Sequence, residues 1–91
     1  MNGATDYVKR AAQCIGIDLN TFEAPIMKQY MADRNILISV NGSSENEDWE
    51  TMWGAGYAQK EGEVGDFRIW SMTDEGLKWL GTVLGIKIVI V

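Results

Sequence analysis

Four carboxylates within six residues, Glu45, Glu47, Asp48 and Glu50, form the densest cluster of ionisable groups in the chain. As a calcium loop the run fails. It lacks the alternating Asp/Asn ligands, the central glycine and the terminal bidentate Glu at the offsets that such a loop needs. Carboxylate pairs support acid–base catalysis only when buried with a shifted pKa, and no such pair is identifiable here. The chain has no histidine, which removes the commonest general base and metal ligand at neutral pH. Hydrolytic triads and most zinc sites go with it. Cys14 lies beside the apolar face of a helical pattern with no basic group placed to lower its pKa, so it reads as an inert, half-buried thiol. Gly54-Ala55-Gly56 lacks the third glycine and the preceding strand of a dinucleotide loop and reads as a helix stop. The sequence therefore predicts no catalytic residue, no cofactor and no metal.

What clustered carboxylates can do is set a field. Residues 1–40 carry four acids and four bases, whereas residues 41–91 carry nine acids against Lys60, Arg68, Lys78 and Lys87. The whole net charge of −5 thus sits in the second half. A negative surface of this kind favours a cation-rich protein and disfavours a polyanion. Trp is the residue most enriched at binding hot spots, and Trp49 and Trp53 stand inside and beside the run. Glu45, Glu47, Asp48, Trp49, Glu50 and Trp53 are accordingly the expected partner-binding residues. At helical spacing the two tryptophans serve equally well as core, and sequence does not choose between the roles.

The elements that must position these groups follow from periodicity. Residues 4 to 15 place Ala4, Val8, Ala11, Ala12 and Ile15 on one helical face, with Gly16 as the stop. A second helical stripe, Phe22, Ile26, Met27, Tyr30 and Met31, runs from about Asn20 to Arg34, with Asn20 and Glu23 spaced as a capping box and Pro25 setting the start or a kink. Ile36 to Val40 is a continuous apolar run that reads as a buried strand ended by Asn41-Gly42. Ser44 and Glu47 have capping-box spacing ahead of a helix over 45–53. Strands over 57–60 and 66–72 form a hairpin through Gly62 and Gly65. Phe67 and Ile69 share one face of it, and Arg68, Trp70 and Met72 the other. Thr73 caps a helix over 74–84. Ile86 to Val91 is a strand prone to aggregation if exposed, so it belongs in a sheet interior or against another subunit, which makes a homo-oligomer through 86–91 a third reading.

The expected class is therefore α+β, in the order ααβαββαβ, with an antiparallel hairpin packed on helices. At 91 residues there is room for a single domain, residues 1–91. With one cysteine the fold has no internal disulfide, which suits a reducing, cytoplasmic setting. Met1 to Arg10 has no apolar core of signal-peptide length, and no segment reaches the roughly 20 apolar residues of a membrane span. Asn41-Gly42-Ser43 matches the glycosylation acceptor pattern, which has no bearing on a cytosolic protein.

The stretch Gly56-Tyr57-Ala58-Gln59, a glycine-containing turn and then Phe67-Arg68-Ile69-Trp70-Ser71-Met72-Thr73-Asp74-Glu75-Gly76-Leu77-Lys78-Trp79-Leu80 resembles the wing hairpin and following helix of winged-helix domains. The resemblance covers about 25 residues. It implies a recognition-helix position for 45–53, a wing over 57–71 and, as the alternative function, a DNA-binding regulator using Lys60 and Arg68 with Lys9 and Arg10. A recognition helix carrying four acids and no base departs from that pattern, because such a helix sits among phosphates. Size and acidity are similar to those of small viral anti-defence inhibitors of the anti-CRISPR type. That likeness implies an inhibitor occupying the basic, nucleic-acid-binding surface of a partner protein.

Overall fold

The computed structural model describes residues 3–91, with side chains from Asp6 onward. The class is α+β: α1 (Gly3–Cys14), β1 (Gln29–Ala32), β2 (Leu37–Val40), α2 (Ser44–Gly54), β3 (Ala58–Val64), β4 (Phe67–Met72), α3 (Asp74–Leu84) and β5 (Lys87–Ile90). The strands make two sheets, an antiparallel one in the order β2-β4-β3 and a parallel pair β1-β5. No described helix is long and apolar enough to cross a membrane.

Helix α1 buries Ala11, Ala12 and Cys14; Ala4, expected on the same face, has its side chain outside the described residues. Gly16 ends the helix at φ +86, and the Ile17 amide turns back to the Ala12 carbonyl at 2.9 Å. The Arg34 guanidinium donates to the Gln13 and Cys14 carbonyls at 2.8 and 3.4 Å. Each of these carbonyls also accepts a backbone amide at 3.2 Å, Gln13 from Gly16 and Cys14 from Ile36, so the guanidinium adds a second bond at the helix end.

The helix expected over 20–34 does not form. Asp18 accepts the Asn20 amide in a local turn, the Lys28 amide closes a turn onto the Pro25 carbonyl at 2.9 Å, and Lys28 sits at φ +57. Residues 29–32 then run extended beside β5, with Gln29 opposite Lys87 and Ala32 opposite Ile90. Pro25 supplies no N–H to a helix, and a strand as β-prone as 87–90 needs a neighbour, so tertiary pairing overrides the helical period. Ile26 and Met27, members of the expected stripe, are left exposed. Strand β5 finds its partner within the chain.

In the antiparallel sheet Trp70 and Met72 point inward and are buried, while Phe67 is half-exposed on the other face. Strand β3 runs to Val64, longer than expected, with a bulge between Lys60 and Gly62. Gly65, at φ +58, turns the hairpin. Helix α3 spans the expected residues. Thr73 accepts the Gly76 amide at 3.1 Å at its start, and Gly85 ends it at φ +73.

The centre of the core is a pair of stacked indoles, Trp49 and Trp70, 5.9 Å apart at 19°, both fully buried. Trp70 Nε1 donates to Ser39 Oγ at 2.8 Å, and Ser39 Oγ donates to Asn46 Oδ1 at 2.7 Å. All three residues are buried. This relay ties β4, β2 and α2 together through groups that cannot turn to water. It also overturns the reading of 36–40 as a strand buried throughout: Ser39 is the inward residue, and Ile36, Ile38 and Val40 are exposed. Trp49 Nε1, by contrast, has no partner among the described residues.

The asymmetry between the indoles generates a prediction. Trp70→Phe strands the Ser39 hydroxyl without its donor, whereas Trp49→Phe removes an N–H that was never satisfied. Urea unfolding is expected to place Trp70→Phe below Trp49→Phe by about 1–3 kcal/mol, the cost of a buried polar group left unpaired. A second prediction concerns Gly76, where an added Cβ would run into the Tyr57 carbonyl and Met72. Gly76→Ala is expected to cost at least about 1–3 kcal/mol in the same assay, because backbone must move to admit it.

Candidate protein-docking surface

Helix α2 begins one residue earlier than the Ser44–Glu47 spacing suggests. Ser43 is the cap, accepting the Asn46 amide at 3.1 Å and donating to the Val40 carbonyl at 2.6 Å. The third helical position therefore belongs to Asn46, which turns inward to the relay. Glu47 is left exposed instead of folding back on a capping box.

The six sequence-predicted residues separate into distinct environments. Trp49 is 0% exposed and lies in the core, where it offers no surface. Glu45 and Asp48 face α1, where Arg10 reaches them at 3.6 and 3.2 Å. Their charge is spent largely inside the molecule. Glu50 meets Lys60 at 3.9 Å, and Glu47 has no cation within ion-pair range among the described residues. Trp53 is 46% exposed. Its ring meets Trp70 edge-on at 6.0 Å, and Lys60 Nζ lies over it at 4.5 Å. Glu47, Glu50 and Trp53 recur every three residues and so follow one another along the helix surface.

The cations of the hairpin are equally committed. Lys60 bridges Glu63 at 3.1 Å as well as Glu50, and Arg68 bridges Glu63 at 3.2 Å. The Lys60 hydrogen bond, followed by the charges of Arg68 and Lys60, holds the Glu63 carboxyl below its ordinary 4.5. Glu61 is also lowered, first by the Ser71 hydroxyl and then by the Gln59 amide. Carboxylates depressed in this way contribute stability that is present above their ordinary pKa and lost as pH falls through the lowered one. Elsewhere, Lys28, Lys78 and Lys87 line an open groove of about 790 Å3 floored by Leu77 and Ile86, where they share the rim with Asp74. Each of these five bases thus shares its surroundings with at least one carboxylate.

Sequence reasoning missed the apolar face on the far side of the β2-β4-β3 sheet. Ile38 pairs with Ile69 and Val40 with Phe67 across β2 and β4, and Val64 pairs with Phe67 across β3 and β4. Opposed residues share a face. Ile38 is 57%, Phe67 51% and Val64 64% exposed. The signal was faint because β2 and β4 carry large apolar residues at both parities. Only the single Ser39 within Ile36-Leu37-Ile38-Ser39-Val40 marked which side is tied down.

Cys14 is buried and donates to Asn35 Oδ1 at 3.3 Å. Burial pushes its thiol from 9.0 up to about 12, opposed weakly by the Met72 backbone and the Arg34 charge. The folded state therefore holds the proton that the unfolded chain releases above pH 9, so this contribution to stability is full below 9 and is lost as pH rises through about 12. Native protein at pH 8 is expected to react with a disulfide reagent at least about tenfold more slowly than urea-unfolded protein, because the thiolate is the nucleophile. Equal rates would place the thiol at the surface. Among the described residues no group of three or more His, Cys, Asp and Glu side chains could hold a metal ion. No family model, curated protein or solved structure matches the chain.

Proposed function

We propose that this chain is a non-enzymatic protein-binding module that docks on a cation-rich surface of another protein, of the kind that otherwise holds nucleic acid, and acts there as an inhibitor. The observation that supports the reading best is Trp53, half-exposed beside Glu50 and in line with Glu47. An aromatic anchor flanked by carboxylates matches a basic surface in both shape and charge. Glu45 and Asp48 contribute to the field but are shared with Arg10. The direct contact therefore narrows to Glu47 and Trp53, together with Glu50, whose pairing to Lys60 is long at 3.9 Å and whose side chain is 42% exposed.

The alternative, a DNA-binding regulator of winged-helix type, needs Lys60 and Arg68 free to reach phosphates. Both are engaged by Glu63, with side chains only 20% and 15% exposed. Releasing them costs the ion pairs, and Glu47 and Glu50 repel the same phosphates.

Affinity capture from a nucleic-acid-rich lysate separates the two. The expected result is a protein partner retained after nuclease treatment, eluted by salt, and bound at least about tenfold more weakly by the Glu47→Lys, Glu50→Lys double variant, which corresponds to roughly 1.4 kcal/mol. Capture unchanged by charge reversal would discard acidic docking. Capture lost with nuclease, together with a salt-sensitive mobility shift of duplex DNA, would favour the regulator.

A further inference from the structure

In an antiparallel sheet with one face covered by helices, the uncovered face ordinarily carries polar residues. Here the alternation is inverted. Strand β2 turns Ser39 to the core and Ile38 and Val40 to the outside, and Phe67, Ile69 and Val64 continue the same outer face. A slip of one residue would bury Ile38 and Val40. The Trp70–Ser39–Asn46 relay forbids that slip, because it would carry Ser39 out of reach of both partners and leave two buried polar side chains unpaired. The apolar face is thus held outward by the most buried polar contacts in the fold.

Charge says what fits it. Lys60 and Arg68 lie on the opposite, helix-covered side, opposed to Trp70 and to the buried Ser39 respectively, and α2 with its carboxylates is on that side too. Within the strands of the outer face the one charged side chain is Glu61, at the bulge, bonded to Ser71 and Gln59. An uncharged apolar surface has its best complement in another uncharged apolar surface. Five or six side chains about half-exposed amount to a patch on the order of 500 Å2, at the upper end of what a monomer leaves open. Two such patches facing each other would bury about 1,000 Å2, the size at which a specific interface becomes sustainable.

We infer that the outer face of the β2-β4-β3 sheet is a self-association surface, on which a second copy of the chain packs sheet to sheet about a two-fold axis. Such packing keeps Ile38, Val40, Val64 and Phe67 from water, as in an aligned β-sandwich. It leaves both α2 helices on the outside of the pair. The net charge of −5 on each copy opposes association at low salt, so added salt strengthens the dimer by screening.

Sedimentation equilibrium from low micromolar to several hundred micromolar protein tests the assignment. The expected result is a monomer–dimer equilibrium that tightens between about 20 and 500 mM salt, where repulsion is progressively screened. In the Ile38→Thr, Phe67→Thr variant the dissociation constant is expected to rise at least about tenfold, with circular dichroism and the urea midpoint close to those of the parent. Threonine keeps the β-branching suited to a strand, so the variant retains the sheet. The Glu47→Lys, Glu50→Lys variant, whose net charge falls from −5 to −1, is expected to dimerise at least as tightly as the parent and with a weaker salt dependence, which separates this surface from the acidic docking site. A monomer at every concentration and salt would overturn the inference. So would a dimer indifferent to Ile38→Thr, Phe67→Thr but lost in a Val89→Lys variant, which would move the contact to β5.

Discussion

Ser39 holds the molecule's choice of inside and outside. Its hydroxyl accepts a hydrogen bond from Trp70 Nε1 and donates one to Asn46 Oδ1, so a strand, its neighbour and a helix are fastened at one oxygen. Each partner is itself committed: Trp70 is stacked on Trp49, and Asn46 sits in the first turn of a helix whose cap, Ser43, is bonded back to the end of β2. With every member satisfied, a buried polar network of this kind selects one register over its neighbours. The hydrophobic effect alone would have preferred the other one, with isoleucine and valine inward. Hydrogen-bond satisfaction wins because the penalty falls on two buried groups at once, whereas the apolar side chains outside lose only part of their burial.

The same economy governs the charges. Arg10 leaves the balanced N-terminal half to pin α1 against Glu45 and Asp48, and the hairpin bases are taken up by Glu50 and Glu63. Exposed ion pairs of this sort add little to stability individually. Their effect is selective: they leave the molecule's surface field to the carboxylates that have no partner, Glu47 among them. An acidic cluster that looked uniform along the sequence is therefore two groups with different roles, one bracing a helix pair and one facing outward.

Elements whose local signals agreed with their surroundings were legible in advance. Helix α3 has its Thr73 cap and its apolar Leu77 and Leu80 pointing the same way, and its span matches. The division of β4 into one face with Phe67 and Ile69 and another with Arg68, Trp70 and Met72 also followed from alternation, although alternation did not say which face is inward. The 20–34 segment misled because Phe22, Ile26, Tyr30 and Met31 do recur at helical spacing, while the deciding influence, a strand near residue 87, is remote in sequence. The capping position slipped by one because Ser43 and Ser44 are adjacent, and only the carbonyl of Val40 shows which is used. The surroundings of the six candidate residues were half legible. Charge density marked α2, but neither the inward turn of Trp49 nor the salt links to Arg10 is written in local spacing, since both depend on where α1 comes to rest.

The parallel pair β1-β5 joins segments separated by almost two-thirds of the chain, and it lies outside the three-stranded sheet. Ala32 of this pair belongs to the same buried cluster as the two tryptophans, and Tyr30 and Ile88 pack against it. Bringing such distant segments together is costly in chain entropy and contributes nothing until the intervening helices have docked, so this zipper closes late during folding. Because Ala32 is buried with the tryptophans, detaching β5 would open one side of the core, and its closure completes the fold.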